Sequence, residues 1–274
     1  MRWEMLCGKS GYIDTVQALL PVYWLSEREI VLVDSGVKPD PELLEELERR
    51  GLRVRAVLCT HLHPDHVANN AALVERHGAE IFAHVGDLPF LRNVLRQTYP
   101  VTVIGDSGCV AVDGVEFGVL PTPGHSAGHM AFVTPDDVCC VGDALMAGSL
   151  LRQSKMPYME DVDRSIVSME KLRETCYPYY IVAHKGVAEW KDMPALVDEN
   201  IRKELDIYDL LRQQLTTPKS EDEVLGDFLT AAGIQRQSVE AMPFIRVTAK
   251  SRLDALIHAG EYCLKDGLVI KARR

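Results

Sequence analysis

Thr60-His61-Leu62-His63-Pro64-Asp65-His66 lies between the apolar run Val54 to Cys59 and the helix-like segment Val67 to His77. This stretch places three imidazoles and a carboxylate within six residues, whereas the whole chain of 274 residues contains nine histidines. A polar loop that caps a helix would need one such residue and not four. The density of these side chains therefore indicates a functional cluster.

The spacing of the motif places its side chains in two adjacent groups. Side chains alternate along a strand, so His61 and His63 are expected on one side of the strand's carboxyl end. Asp65 and His66 follow where the next helix begins. Imidazole nitrogens and carboxylate oxygens bind zinc at about 2.0–2.2 Å, and a catalytic zinc keeps one position open for water. The motif therefore predicts a metal site.

The motif resembles the His-x-His-x-Asp-His signature of the metallo-beta-lactamase fold superfamily. Four further segments are similar to other elements of that family and follow its order: Val31-Leu32-Val33-Asp34-Ser35-Gly36, Pro121-Thr122-Pro123-Gly124-His125-Ser126-Ala127-Gly128-His129, Val141-Gly142-Asp143-Ala144 and Val182-Ala183-His184-Lys185-Gly186. Together the five elements cover roughly residues 25 to 190. The resemblance implies an α/β fold built as a four-layer αββα sandwich.

The resemblance also implies which residues bind metal. One ion is expected on His61, His63 and His125, a second on Asp65, His66 and His184, and Asp143 is expected to bridge the two. By position alone, Asp143 would be a turn residue after a glycine. The implied cofactors are two zinc ions, with iron or manganese as alternatives, because the ligand types do not fix the metal. Asp65 and Asp143 are accordingly the candidate catalytic residues.

Two residues beside the predicted ligands have two interpretations each. Asp34 ends its strand just ahead of Gly36 and is either a turn residue or, as the resemblance implies, a support that fixes the orientation of a liganding imidazole. His129 follows His125 by four residues and is either another ligand or a histidine packed beneath the site. The family resemblance favours the second interpretation in both cases.

Composition limits the class of protein. A chain with 47% apolar residues can bury one large core or two smaller ones. The formal net charge of −10 argues against broad polyanion binding, although seven basic and only three acidic residues occur from Arg246 onward. Seven cysteines without a C-x-x-C pair indicate reduced thiols. Since no signal peptide or membrane-spanning run is found, we expect a cytoplasmic protein without a membrane partner.

Hydrophobic periodicity predicts alternating strands and helices in residues 1–192. Strands are expected over 2–7, 17–25, 29–34, 54–59, 80–83, 109–112, 115–120, 130–134, 138–141 and 180–183, and helices over 41–50, 67–76 and 161–176. Residues 85–108 are less regular. Their apolar residues Leu88, Phe90, Leu91, Leu95 and Tyr99 form either a lid over the site or an ordinary short helix and loop.

Residues 193–274 are predicted to form a second domain after the metal-binding domain of residues 1–192. Helices are expected over 195–215, 220–229 and 248–259, followed by strands over 262–264 and 268–272. Ser220 and Glu223 have the spacing of a capping box. Three helices and a terminal hairpin are similar to a winged helix.

The predicted second domain has two interpretations. Its basic side chains would allow it to bind nucleic acid: Lys250, Arg252, Lys265, Lys271, Arg273 and Arg274. Alternatively, it is a packing or dimerisation module, which would allow a homodimer. The second interpretation is favoured because the chain as a whole is acidic.

The predicted centre favours a metal-dependent hydrolase with a small-molecule substrate. Two ions about 3.5–4 Å apart would hold a hydroxide that attacks a thioester, lactone or similar ester-type carbonyl while one ion polarises the carbonyl oxygen. The chain is most similar to the glyoxalase II and lactonase branches, because it has Asp143 where many beta-lactamases have a cysteine. Tyr158 either donates a hydrogen bond to the substrate or fills a loop.

Two other functions stay open from the sequence. The same metals could cleave a phosphodiester, as in the beta-lactamase-like endoribonucleases that carry a small winged-helix-like domain. A regulatory DNA-binding protein, in which the metal domain only senses a ligand, is the third hypothesis. The complete set of predicted ligands disfavours it.

Overall fold

The structure, a computed structural model, describes residues 1–90, 99–106, 108–184, 186–235 and 244–272. Its centre is a pair of β-sheets. The first sheet has the spatial order β1 (Arg2–Cys7), β2 (Ser10–Asp14), β3 (Leu19–Trp24), β4 (Glu29–Val33), β5 (Arg53–Leu58), β6 (Glu80–His84) and β7 (Thr102–Ile104). Strands β1 to β4 pair antiparallel, and β4 to β7 pair parallel.

The second sheet has six strands, of which only β11 and β12 pair parallel. Its spatial order is β13 (Gly186–Glu189), β12 (Tyr179–Val182), β11 (Val138–Gly142), β10 (Met130–Val133), β9 (Val115–Pro121) and β8 (Cys109–Val112). A third, small sheet joins β14 (Lys219–Ser220), β16 (Leu268–Lys271) and β15 (Tyr262–Lys265) in that order.

Nine α-helical segments connect and cover these strands in the described part of the chain. They are α1 (Pro41–Arg49), α2 (Pro64–Val67), α3 (Asn70–His77), α4 (Leu88–Phe90), α5 (Gly148–Gln153), α6 (Val162–Arg173), α7 (Met193–Gln214), α8 (Glu221–Ala231) and α9 (Phe244–His258). No helix within these ranges is long and apolar enough to cross a membrane.

Three apolar cores separate four layers, as expected for an αββα sandwich. One core lies between α1 and the first sheet, and another lies between the two sheets. The third lies between the second sheet and the helices on its outer face. Strand β11 is buried on both faces, because Cys139 points into the third core and Cys140 into the core between the sheets. The predicted four-layer architecture is therefore confirmed.

Helix α1 shows why the local sequence folds as it does. Asp40 caps the helix by accepting a hydrogen bond from the backbone N–H of Leu43 at 3.0 Å, and Pro41 occupies the first turn, where no N–H is needed. Leu43 and Leu47 are fully buried against the first sheet. The helix therefore holds β4 and β5 parallel and adjacent.

The predicted helix over 67–76 is wrong in its boundaries, because the chain forms α2 and α3 instead. Asn69 separates them: its side-chain amide donates to the carbonyls of Ser35 at 2.6 Å and Lys38 at 3.1 Å and accepts from Asp40 N–H at 2.8 Å. These hydrogen bonds connect Asn69, at the break between α2 and α3, to the loop that follows β4. Strands β2, β7, β13 and β14 and helix α5 were not predicted.

The C-terminal region contains the three expected helices and the terminal hairpin, and the capping box of Ser220 and Glu223 is confirmed. Its apolar residues do not form a core of their own. Val197 and Leu253 belong to the same cluster as Ala131 and Val141 of the second sheet. The boundary between residues 192 and 193 and the likeness to a winged helix stay predictions.

Of the basic side chains considered for nucleic-acid binding, one is buried, one is paired with carboxylates and two are exposed. Arg252 is completely buried and pairs with the equally buried Glu204 at 2.8 Å, so its proposed role is wrong. Lys250 lies 2.6 Å from a carboxylate oxygen of Asp254 and 3.5 Å from one of Glu221. Lys265 and Lys271 are exposed, while Arg273 and Arg274 lie outside the described residues, as do Leu91 and Leu95 of the suggested lid.

Breaking the buried Arg252–Glu204 pair is expected to destabilise the protein far more than breaking an exposed pair. Arg252→Met leaves the Glu204 carboxylate buried without its partner, and we expect a loss of about 3–5 kcal/mol in the free energy of unfolding. The matched control is Arg212→Met, whose pair with Glu261 is 35% and 40% exposed; it should cost about 1 kcal/mol or less.

Urea unfolding of the two variants and the parent protein measures both losses. Equal losses for Arg252→Met and Arg212→Met would contradict the assigned role of the buried pair.

Candidate metal centre

The predicted site residues come together at one edge of the sandwich. Strands β4, β5, β9, β11 and β12 all end at this edge, and the residues that follow them supply the side chains. These residues are Asp34, His61, His63, Asp65, His66, His125, Asp143 and His184. The backbone N–H of Met130 donates to the carbonyl of Thr60 at 2.8 Å and so joins the two sheets beside the site. The site is therefore built from both sheets.

The first group of ligand atoms comes from His61, His63 and His125, and all three lie within 4.8 Å of one another. His63 Nδ1 and His125 Nε2 are 3.0 Å apart. The Nδ1–H of His125 donates to the carbonyl of Tyr158 at 3.0 Å, which directs Nε2 of that ring towards the group. These three side chains could therefore hold one metal ion.

The second group comes from Asp65, His66 and His184, again with ligand atoms within 4.8 Å of one another. His184 Nε2 lies 3.7 Å from an oxygen of Asp65. The side chain of Asp65 is 43% exposed, whereas that of His66 is 4% exposed. The second group therefore extends from the buried interior to the mouth of the site.

Asp143 lies between the two groups and presents one oxygen to each. Its Oδ2 is 3.6 Å from Nε2 of His125. Its Oδ1 is 3.4 Å from Nε2 of His66 and 3.5 Å from Nε2 of His184. This is the position expected of a carboxylate that bridges two ions.

Asp34 orients the ligands from behind, as the sequence resemblance implied. Its Oδ2 accepts from Nδ1 of His66 at 2.8 Å and from the hydroxyl of Thr60 at 2.9 Å, while Oδ1 accepts from the Thr60 N–H at 2.8 Å. The Thr60 hydroxyl lies 3.1 Å from Nδ1 of His61. One buried carboxylate thus fixes the ring of His66 directly and that of His61 through Thr60.

His129 lies beneath the site and uses both ring nitrogens within the protein. Its Nδ1 bonds to the Thr122 hydroxyl at 2.8 Å, and its Nε2 accepts from the backbone N–H of Asp143 at 3.1 Å. Burial lowers the pKa of His129 to about 3, so the ring is neutral and can accept that bond. The expectation of a packed histidine is confirmed, and its function is to hold the backbone at Asp143.

The protonation states of the candidate metal ligands differ from one side chain to the next. Burial lowers the pKa of both His61 and His125 well below the ordinary value of a histidine. Burial alone would raise the pKa of Asp143, but the adjacent His66 and His184 hold that pKa well below its ordinary range. At neutral pH, His61 and His125 are therefore neutral and Asp143 is ionised, which are the protonation states that bind a metal ion. Burial would lower the pKa of His66, but Asp143 and Asp34 raise it well above the ordinary value, and the hydrogen bond to Asp143 raises the pKa of His184. A metal ion that binds these two rings would therefore displace protons from them.

The spacing of the donor atoms around Asp143 also fits metal ions. Tetrahedral ligands at about 2.0–2.2 Å from zinc are about 3.3–3.6 Å from each other. The distances from Asp143 to the three imidazoles, 3.4–3.6 Å, fall in this range and exceed normal hydrogen-bond lengths. Nε2 of His61 is buried and has no hydrogen-bond partner among the described residues. A cation coordinated by these atoms would satisfy it.

Three supporting groups were not predicted from the sequence. The buried carboxylate of Asp87 accepts from the Ser126 hydroxyl at 2.8 Å and from Gly128 N–H at 2.7 Å, so it braces the turn that carries His125. Glu160 accepts from Ala127 N–H at 3.0 Å in the same turn. The third group is the Tyr158 carbonyl. No motif marks these contacts, because each joins segments more than 30 residues apart.

The fold and the paired ligand groups define a metallo-beta-lactamase-type sandwich with a candidate metal centre at the sheet edge. The sequence profile of the metallo-beta-lactamase superfamily matches residues 21–184, and the chain belongs to that family. The crystal structure of a metallo-beta-lactamase family protein from Thermus thermophilus has a TM-score of 0.74 and 20% sequence identity, with 93% of each chain covered.

Two further comparisons have higher sequence identity. The chain is 31% identical to a hydroxyacylglutathione hydrolase of Thiobacillus denitrificans over 182 residues, which cover 64% of this chain and 67% of the relative. It is 26% identical to a protein solved in a di-iron-bound form, with a TM-score of 0.54 and coverage of 68% of this chain and 96% of that chain.

Replacement of Gly142 by alanine is expected to disturb the backbone that carries Asp143. Gly142 has φ +53°, and a Cβ there would lie 2.7 Å from the Thr60 hydroxyl oxygen and 2.8 Å from Nε2 of His129. Gly148 has a similar φ of +57° but open space around a Cβ. Both substitutions carry the left-handed backbone penalty of about 1–2 kcal/mol. Only Gly142→Ala adds steric overlap, which we expect to cost a further 1–3 kcal/mol or so.

The difference in unfolding free energy between Gly142→Ala and Gly148→Ala isolates this overlap. If Gly148→Ala lost as much stability as Gly142→Ala, the tight packing beneath Asp143 would not be the cause.

Proposed function

We propose that the protein is a metal-dependent hydrolase that cleaves a thioester, or a similar ester-type carbonyl compound, of small size. The observation that carries the proposal is the position of Asp143, with one oxygen on each of two adjacent ligand groups. In this proposal His61, His63 and His125 would hold one ion, Asp65, His66 and His184 would hold the other, and Asp143 would offer one oxygen to each.

The relatives support a thioester as the substrate. The Thiobacillus denitrificans relative is named for hydrolysing hydroxyacylglutathione, in which the acyl group is attached to sulfur. The match covers about two thirds of that protein, 67%, so the substrate of this chain is proposed at the level of the bond cleaved and not of the thiol. Zinc is the proposed metal from the nitrogen and oxygen ligands, and iron is the alternative because a 26% identical protein was solved with two irons.

Two such ions, when bound, would lower the pKa of a water nucleophile and polarise the carbonyl of the substrate. The protein's own residues supply the arrangement. Asp34 and the Tyr158 carbonyl fix the rings of His66 and His125 so that one nitrogen of each faces the centre. His129 fixes the backbone of Asp143. Because these supports are in place before substrate binds, little reorganisation is needed during the reaction.

Aromatic side chains form one wall beside the first ligand group. The ring of His63 packs edge-on against Phe90 and Tyr158, each with a centroid separation of 5.1 Å. The Tyr158 hydroxyl donates to Glu160 at 3.3 Å. Tyr158 therefore fills the wall and is bonded within the protein, which favours the packing role over the donation of a hydrogen bond to substrate. The wall provides apolar surface for an acyl group.

Nucleic acid is not proposed as the substrate. The completely buried Arg252 cannot contact a phosphate, and Arg246 forms an ion pair with Asp222. Exposed phosphate-binding cations are what an endoribonuclease would need in this region. In the C-terminal region, Lys219 and Lys250 are also paired with carboxylates, whereas Lys265 and Lys271 are exposed.

Removal of the Asp143 carboxylate is expected to abolish hydrolysis. The purified protein should carry close to two transition-metal ions per chain, and Asp143→Ala should lower turnover of every substrate by more than the factor of about 10–100 typical of losing an outer-shell support. Elemental analysis and steady-state kinetics measure the two effects. His258→Ala, at a side chain 75% exposed, is the matched control and should retain both metal and activity. Full activity of Asp143→Ala would refute the bridging role.

A substrate panel separates the proposed reaction from its alternatives. One metal-loaded preparation should be assayed with an acyl thioester, a lactone, a phosphodiester and single-stranded RNA, with Asp143→Ala run in every arm. We expect both carbonyl substrates to be preferred over the phosphodiester and the RNA, and the highest kcat/KM for the thioester, because the 31% identical relative is named as a hydroxyacylglutathione hydrolase. Cleavage of RNA without cleavage of the thioester would overturn the proposal.

A further inference from the structure

Residues 157–162 form a connecting segment that is bonded to the loop carrying His125. The Tyr158 carbonyl accepts from Nδ1 of His125 at 3.0 Å. Glu160 N–H donates to the carbonyl of His125 at 3.3 Å, and Asp161 N–H donates to that of Gly124 at 3.0 Å. Both the ring and the backbone of His125 are therefore placed by this segment.

The opposite side of the connecting segment is bonded to α9. The hydroxyl of Thr248 accepts from Met159 N–H at 2.9 Å and donates to the carbonyl of Pro157 at 3.1 Å. It also accepts from Nη1 of Arg252 at 2.6 Å, so its one donor and two acceptor positions are all used. One turn along the helix, the hydroxyl of Ser251 accepts from Val162 N–H at 2.8 Å.

The bonds of Thr248 and His125 meet in a single peptide group. The carbonyl of Tyr158 and the N–H of Met159 belong to the same planar unit, which cannot flex without large cost. Thr248 holds the N–H end of this plane, and His125 donates to its carbonyl end. Since Thr248 is only 3% exposed, water cannot easily replace the hydroxyl.

We infer that Thr248 is a positioning residue for the candidate metal centre. Its hydroxyl sets the orientation of the Tyr158–Met159 peptide, and the carbonyl of that peptide sets the ring of His125. Arg252, anchored on Glu204 at 2.8 Å, in turn holds the hydroxyl of Thr248. Helix α9 thus influences the candidate metal centre through hydrogen bonds, without supplying a metal ligand. The inference rests on the proposed function, in which His125 binds one of two ions.

Stepwise zinc binding tests the inference without recourse to catalysis. Metal-stripped protein is titrated with zinc(II) against a chromophoric chelator, and His125→Ala shows which of the two dissociation constants belongs to the ion beside His125. Thr248→Val keeps the shape of the side chain and removes its three hydrogen bonds. We expect it to weaken that constant about tenfold, the lower end of the range for outer-shell groups, and to leave the other constant unchanged.

Ser251→Ala is the matched control, because it removes a buried hydroxyl that bonds the same segment away from Tyr158. It should leave both zinc constants unchanged while lowering the urea midpoint of the metal-free protein, as Thr248→Val also does. Thr248→Ser restores the hydroxyl and should restore the affinity. Thr248→Ala removes the same hydroxyl with less bulk and carries the same expectation if the valine variant does not fold.

Three results would overturn the inference. They are a Thr248→Val affinity equal to that of the parent, an equal loss of affinity in Ser251→Ala, or a Thr248→Ser variant as weak as Thr248→Val. If the parent protein itself bound no zinc, the proposed function would fail, and that outcome is distinct because it needs no variant.

Discussion

Each buried imidazole of the candidate centre must be held by a hydrogen bond at one ring nitrogen. The lone pair of its second ring nitrogen can then point into the site. Asp34 meets this requirement for His66, and the Tyr158 carbonyl meets it for His125. For His61, the Thr60 hydroxyl lies 3.1 Å from Nδ1, and that hydroxyl is itself bonded to Asp34. These contacts select the tautomer of each ring, and a wrong tautomer would direct an N–H instead of a lone pair into the site.

The candidate metal-binding residues could be named from short, contiguous motifs, and the family resemblance also indicated the supports Asp34 and His129, whereas the remaining supports could not be predicted. His61 and His63 were expected to share one side as a continuation of the strand, and in the structure both reach the first ligand group although β5 ends at Leu58. The support of His125 by Tyr158 joins residues 33 positions apart and uses a backbone carbonyl, so the identity of the residue gives no signal. The bond from Met159 to Thr248 spans 89 positions. Contacts of this kind appear only once the fold is known.

Secondary structure could be predicted where the apolar pattern is strong. The prediction failed where strand pairing depends on backbone hydrogen bonds. Strand β4 is buried on both faces and was predicted to within one residue. Strand β2, with the sequence SGYID, has few apolar residues and is held between β1 and β3 by its ladder of backbone pairs. The break at Asn69 was missed because its three side-chain bonds reach residues 35, 38 and 40, which lie on another segment.

The C-terminal helices share an apolar core with the second sheet of the sandwich. Val197 and Leu253 lie in one core with Val141 of the second sheet. Without these helices, the outer face of that sheet would be exposed to water at a cost of about 25 cal/mol for each Å² of apolar surface. The same packing brings α9 to the connecting segment behind His125. Covering the sheet and placing the histidine are therefore two consequences of one arrangement.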